Sequence, residues 1–180
     1  MNVIERLGDQ IVTLAEAKAN SRVTSTAEDT LFQHWIDVAH DDVEGDAGLV
    51  LQRAKCTQVD RECEYIDLSA PVRGIVSVKD GSGDDVDYEI VETSKYGARL
   101  TFTKQSQVKV TYIAGFGEYI VTGAETAVNE GDIAPYPLAK AAVLVLTNHY
   151  YENRGVVTDF STYPVPVGFD RIIQLITKYR

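Results

Sequence analysis

The stretch Leu138–Tyr151 constrains this chain more than any other. It is apolar on almost every face of the helix it implies, broken mainly by Lys140, Thr147 and Asn148. Pro137 before it suits the first turn of a helix, where a missing N–H costs nothing. An amphipathic helix needs one packed side, but a helix this uniformly apolar needs partners on several. A chain of 180 residues is long enough for one domain with a real core. It could just supply those partners, and a second copy would do so more easily. The expectation is a single domain over 1–180 whose core helix, about 137–153, lies near a subunit boundary.

Upstream, Thr13-Leu14-Ala15-Glu16 has the spacing of a capping box, and Ser25-Thr26-Ala27-Glu28 repeats it. The first opens a brief helix ending near Asn20. The second opens a longer one in which Leu31, Phe32, Trp35, Ile36, Val38, Ala39 and Val43 recur at helical spacing. Trp35 reads as its core anchor, and Gly45 and Gly48 as its end. N-terminal helices thus cover about 13–46, and the first ten or so residues read as a further short helix.

The period then changes, marking a β-sheet region over about 56–113. Cys63 to Leu68 reads as a strand interrupted by Pro71, and Gly74 to Asp80 as the next. Asp80-Gly81-Ser82-Gly83-Asp84 is a turn by composition. Strands follow over Val86–Glu92, Arg99–Thr103 and Gln107–Ile113, the last alternating Val108, Val110 and Tyr112 with Lys109, Thr111 and Ile113. Short strands joined by tight turns favour antiparallel pairing. From about 115 to 136 no period survives; Gly115-Phe116-Gly117 reads as a turn, and the segment as a long loop. An extended tail with Pro164 and Pro166 leads to a short helix from about Phe169, carrying Ile172, Ile173 and Ile176. The tail and this helix together occupy about 155–180.

The net charge of −10 argues against a protein that grips nucleic acid by neutralising phosphates, which needs clustered Lys and Arg. From Thr24 to Gln52 there is no Lys or Arg, while Glu28, Asp29, Asp37, Asp41, Asp42, Glu44 and Asp46 all fall there. That reads as a solvated helix face, or as a surface that must not stick to DNA passing nearby. No apolar run approaches the roughly 20 residues that cross a bilayer, and the opening Met1–Arg6 lacks the apolar core of a secretory signal. Cys56 and Cys63 read as free thiols rather than a disulfide framework.

Catalytic signatures are sparse. There is no GxSxG elbow, no phosphate-cradling GxxxxGK[ST] loop and no HExxH. His34, His40 and His149 sit at no familiar ligand spacing. Asp41, Asp42 and Glu44 could hold Mg²⁺ in principle, but adjacent helix positions do not face each other. No metal, cofactor or catalytic residue is expected. His149-Tyr150-Tyr151-Glu152-Asn153-Arg154 is the densest polar and aromatic cluster. It reads as the end of a buried helix, where Arg154 meets the negative end of the dipole, with a small enzyme centred on it as the competing reading.

Several segments, in order, resemble the head–tail connector (adaptor) family of long-tailed phages. Val12-Thr13-Leu14-Ala15-Glu16-Ala17-Lys18 is similar to that family's opening "ITLEEVK", and Pro71-Val72 before Ile75–Val78 to its "PV.SV.SV". Val110–Gly117 resembles "VxYxAGYG", Pro137–Leu144 "P..LKxAIL", and His149–Arg154 "HxYENR". Pro166–Phe169 through Arg180 is similar to the closing "P.G...LL.PYR", except that Lys178 stands where the pattern usually has Pro. The loop Glu118–Ala134 is longer than the family's.

The resemblance implies an α+β fold: a helical bundle with a small antiparallel β-sheet inserted between N-terminal and C-terminal helices. It implies a twelve-subunit ring in the virion neck, assembled in the host cytoplasm. Portal protein lies above it, stopper or tail proteins below, and genomic DNA passes through without sequence-specific binding. A stopper or tail-terminator ring is the alternative station, and a cellular dimeric binding module the alternative of another class. On this reading the portal contacts fall on Phe160, Tyr163, Ile172, Ile173, Ile176, Tyr179 and Arg180. Subunit packing falls on Leu138, Val145, His149, Tyr150, Glu152 and Arg154.

Overall fold

A computed structural model describes residues 1–69, 71–92, 96–121, 125–153 and 167–177. The architecture is α+β, and the described residues divide into two compact units: Met1–Asp9 with Gly48–Ala134, and Gln10–Ala47 with those of Pro135–Lys178.

The first unit is a sheet organised around one long strand. β2 (Ala54–Asp67) and β5 (Ala98–Ala114) pair antiparallel from Ala54↔Ala114 to Asp67↔Arg99. On the far side of β5, β3 (Val72–Asp80) pairs with its C-terminal half and β4 (Glu89–Glu92) with its N-terminal end. β1 (Asn2–Arg6) adds to the start of β2. The short β7 (Thr126–Ala127) adds to β3, while β6 (Gly117–Tyr119) and β8 (Gly131–Ile133) make a separate ribbon.

Even-numbered positions of β5 build the core. Ala98, Leu100, Val108, Val110, Tyr112 and Ala114 are fully buried with Ala54, Cys56, Ile66 and Leu68 of β2 and its extension. In a flat strand Leu100 and Tyr112 would lie about 40 Å apart, yet they share one core. Moreover, the Ser69 N–H, two residues past the end of β2, donates to the Tyr112 hydroxyl at 3.3 Å. The strand pair must therefore fold over. The register shows where: β2 advances from Cys63 to Tyr65 while β5 runs from Gln105 to Thr101, and neighbouring Glu62 has φ +50°. Extra residues on one strand bend and twist a ladder in this way. Because two residues are inserted, the inside–outside alternation survives the bend.

Gly115 closes the unit. Its φ is +116°, and a Cβ there would lie 2.4 Å from Arg53 Cα, so only glycine lets β5 turn against the segment before β2.

The second unit is helical. α1 (Leu14–Asn20) carries the expected capping box: Thr13 Oγ1 accepts from the Glu16 N–H at 3.3 Å, and Glu16 Oε2 accepts from the Thr13 N–H at 3.0 Å. α2 (Asp29–Ala47) buries Phe32, Ile36, Ala39, Val43 and Ala47, one stripe at helical spacing. α3 (Pro137–Glu152) buries Ala139, Ala142, Val143, Leu146 and Thr147. The Thr147 hydroxyl donates to Val143 O at 2.8 Å, which makes a polar side chain tolerable in that core. α4 (Val167–Ile176) completes the unit. Lys18 pairs with Asp29, and Lys140 with Glu16, so ion pairs join α1 to α2 and to α3.

Several sequence expectations are corrected. Residues 2–6 form a strand rather than a helix, because five residues cannot nucleate a stable helix alone and the edge of β2 offers them backbone partners. Ser25 Oγ accepts from the Ala27 N–H instead of capping a helix at Glu28, and α2 begins at Asp29. Gly45 lies inside α2; Gly48, with φ +63°, follows its end. The two strands expected over 99–113 are one, β2 starts earlier than Cys63, and only Glu89–Glu92 of the 86–92 segment is strand. The expected loop over 115–136 contains β6, β7 and β8; it lacked a period because strands of two or three residues are too short to show one. The 80–84 turn is present, with Asp80 Oδ1 accepting from Ser82 and Asp84 N–H groups. Cys56 and Cys63 are free and seven residues apart on one strand, a span of about 23 Å that no intrachain disulfide bridges.

Two predictions follow from these contacts. Gly115→Ala forces a Cβ into backbone while holding a disfavoured φ, so a loss of at least about 3 kcal/mol is expected in denaturant unfolding. A melting curve like that of the unsubstituted chain would refute that packing. Hydrogen bonds from Lys140 and then from the Thr13 backbone bring the Glu16 pKa from 4.5 down to about 2. A lowered folded pKa stabilises the fold above about pH 4.5, and the contribution disappears as pH falls toward 2. Glu16→Gln should flatten the stability profile across that window and leave its shape at neutral pH unchanged, as checked by urea titrations at stepped pH.

Candidate interaction surfaces

The expected subunit-packing residues gather on α3. Leu138, Val145, His149 and Glu152 recur at helical spacing (138, 145, 149, 152), and apart from exposed Glu152 they are half-buried. They flank the fully buried stripe rather than joining it, so this side of an apolar helix is only partly covered within its own unit. Tyr150 and Tyr151 face α2. The Tyr150 hydroxyl donates to Asp42 and its ring lies 5.7 Å from that of Trp35. Tyr151 stacks 4.1 Å from Phe32 and donates to Glu28 at 2.8 Å. Trp35 is therefore half-buried at the rim, held against tyrosine, while Phe32 and Ile36 occupy the core. Burial, the hydrogen bond to Asp42 and the charges of Asp42 and Asp46 together raise the Tyr150 pKa well above the ordinary tyrosine value.

At the end of α3, the Asn153 side-chain amide donates to His149 O at 2.7 Å and lies 3.2 Å from His149 Nδ1. This amide occupies the helix terminus where Arg154 was expected; Arg154 itself lies outside the described residues. The His149 ring is thus engaged in finishing a helix. Among the described residues there is no group of three His, Cys, Asp or Glu able to hold a metal ion, and no helix is long and apolar enough to cross a membrane.

Of the expected portal contacts, Phe160, Tyr163, Tyr179 and Arg180 lie outside the described residues. Ile172 and Ile173 are half-buried on α4. Ile176 is fully buried, as is Phe169, so these two anchor α4 to its unit and Ile176 is not presented to a partner in this conformation. The helical spacing of Ile172, Ile173 and Ile176 reveals an apolar side but not which of its residues the unit uses.

Two polar features escaped sequence reasoning. His40 and Glu44 are buried one turn apart on α2; His40 Nε2 accepts from the Ile11 N–H at 3.4 Å, which leaves the Nδ1 proton facing Glu44 Oε1 at 3.8 Å. In the sheet unit Arg73 is fully buried beneath Tyr119, its guanidinium 5.5 Å from the ring and donating to Gly131 O. Burial, then the charge of Arg53, lowers its pKa from the usual arginine value. Burial and the charge of Glu125 raise that of Tyr119. Tyr119 also lines an open cleft of about 560 Å³ on the sheet unit, with Glu5, Arg53, Lys55, Ile120 and Glu125. A single Arg or Tyr in a strand pattern carries no signal that its partners will come from a ribbon some 45–60 residues away.

No family model matches this chain, and no curated protein matches it. Solved structures do. A chain in the neck of an empty GTA particle, computed with C6 symmetry, superposes with a TM-score of 0.64 at 18% identity, over 98% of this chain and 95% of that one. A chain in the virion of a native gene transfer agent (GTA) particle gives 0.62 at 19%, over 99% and 94%. One in the neck of a native GTA particle, computed with C12 symmetry, gives 0.58 at 17%, over 98% and 94%. This chain therefore shares, over nearly its whole length, the fold of chains found in those particles.

Proposed function

We propose that this protein is a structural subunit of the head–tail neck of a phage-like particle, in the connector (adaptor) ring that docks to the portal and joins the DNA-filled head to the tail. The observation that carries the reading is the end-to-end fold match to chains from neck assemblies with rotational symmetry, together with the ordered motifs of the connector family in this sequence. A ring reading accounts for α3, whose half-covered apolar side includes Leu138 and Val145 and gains a partner from the next copy. It also accounts for a net charge of −10, since a passage through which DNA slides should repel rather than hold phosphate. Association through the tail is assigned to Phe160, Tyr163, Tyr179 and Arg180, with the half-buried side of α4 at Ile172 and Ile173. Aromatic and Arg side chains are the types that dominate binding energy at protein interfaces.

The deciding experiment blocks production of this chain during particle growth and images the lysate. Separate tails beside heads that have packaged or lost DNA are expected; normally joined particles would overturn the reading. A neck that retains this chain on the portal when tails are absent assigns it to the adaptor, whereas retention only on tails assigns it to a tail-terminator ring. A second prediction concerns the tail: Tyr179→Ala with Arg180→Ala should weaken capture by immobilised portal by at least about tenfold, with circular dichroism unchanged. Undiminished capture would remove these residues from the contact.

A further inference from the structure

In a chain this acidic, the outer face of the sheet is an exception. The core takes the even positions of β5 and of the ends of β2, so the odd positions point outward. There Lys55, Val59 and Arg61 of β2 stand beside Lys109 of β5 and Lys79 of β3, with the short hydroxyl side chains of Thr57, Thr111 and Ser77 between them. The acids of the same stretch of β2, Asp60, Glu62 and Glu64, take the even positions. Lys79 stands directly opposite Lys109, an arrangement that costs stability in a sheet. Asp85 lies 3.3 Å from Lys79 and Glu5 of β1 stands opposite Lys55, whereas Lys109 has only Val59 and Lys79 opposite it. Val59 at their centre is 49% exposed. A flat floor of small side chains rimmed by lysines, kept despite like-charge repulsion, is a surface shaped for an acidic helix.

The chain itself carries such a helix. The solvent side of α2 presents Asp37, Asp41, Asp42 and Asp46, with no Lys or Arg anywhere from Thr24 to Gln52. Asp37 accepts from the Gln10 and Gln33 amides and Asp42 from the Tyr150 hydroxyl, neutral donors that leave both charges uncompensated. Gly45 is exposed in the middle of this side, with nothing near its missing Cβ, so a partner's backbone can come close.

We infer that the lysine-rimmed outer face of the sheet receives the acidic side of α2 from a second copy of this chain, joining copies head to tail. The two surfaces differ, so the contact is heterologous and closes into a ring when its rotation permits. This inference rests on the ring reading above and names the surfaces that would build it.

Two full-length variants test it: Lys55→Glu/Lys109→Glu, and Asp42→Lys/Asp46→Lys. All the altered side chains lie on partly or fully exposed positions, and circular dichroism verifies folding. In sedimentation at low ionic strength, each variant alone should self-associate at least about tenfold more weakly than the unsubstituted chain, since each confronts like charges. An equimolar mixture should recover assembly, because one partner's intact face meets the other's. A chain with all four changes should recover it too. Added salt should weaken association of the unsubstituted chain. Rings that form normally in both variants would overturn this contact and leave the ring reading standing. An unsubstituted chain that stays monomeric at every concentration, both alone and with portal present, would overturn both. Duplex DNA binding that Lys55→Glu/Lys109→Glu abolishes, with assembly unaffected, would assign the face to nucleic acid and overturn the inference.

Discussion

β5 is the member on which the sheet unit depends, since it alone among the described strands pairs with three others. β2 runs along one edge for almost the full length, while β3 and β4 divide the other. A 17-residue strand kept flat could not enclose a core in a chain this size. The two-residue excess between Gln105 and Thr101 lets the ladder fold back on itself, and bringing Leu100 and Ile66 onto the same core as Tyr112 and Ala54 removes them all from water. Each such aliphatic or aromatic side chain contributes on the order of 1.5–3 kcal/mol when fully buried. Pairing on both edges and burial on one face therefore fix register, bend and outward direction together. The outer face inherits its basic character from that register: a slip of one residue would bury Lys55 and Lys109 and expose Val110 and Tyr112.

The helical unit solves a different problem. α3 has too much apolar surface for one groove, and the unit covers it with α1, α2 and α4, leaving a half-covered side at Leu138 and Val145. Its polar atoms are settled locally: Thr147 bonds within the helix, Asn153 finishes its end, and tyrosines reach acids of α2. His149, Tyr150, Tyr151 and Asn153 of the polar and aromatic cluster thus take part in helix termination and interhelical packing. The fold that results is shared with chains of symmetric neck assemblies.

Local physics wrote several features directly into the amino-acid sequence. The Thr13–Glu16 box, the Pro137 helix start and the Asp80–Asp84 turn each depend on groups a few residues apart, so their signals are legible without a fold. The same holds for the helical period of α2 and the alternation at the end of β5. The nearly uniform apolar character of α3 indicated that it would need several partners, and the distribution of charge marked 24–52 as an acidic stretch. The opening residues misled because their conformation is imposed by the edge of β2, more than forty residues away in sequence. The Ser25 box misled because a second local bond, to Ala27, competed successfully for the same oxygen.

By itself, then, the sequence determined the α+β class, the succession of helices and strands through the middle of the chain, its helix caps and turns, and its charge. Tertiary structure alone decided that two expected strands are one bent strand, that Ile176 anchors while Ile172 and Ile173 remain partly accessible, and that Arg73 lies under Tyr119. It also decided that lysines from three strands share one face. The physical reason is common to all of these. Each depends on which residues distant in the chain become neighbours, and on how much water their packing excludes, and neither quantity is carried by the spacing of residues along the chain.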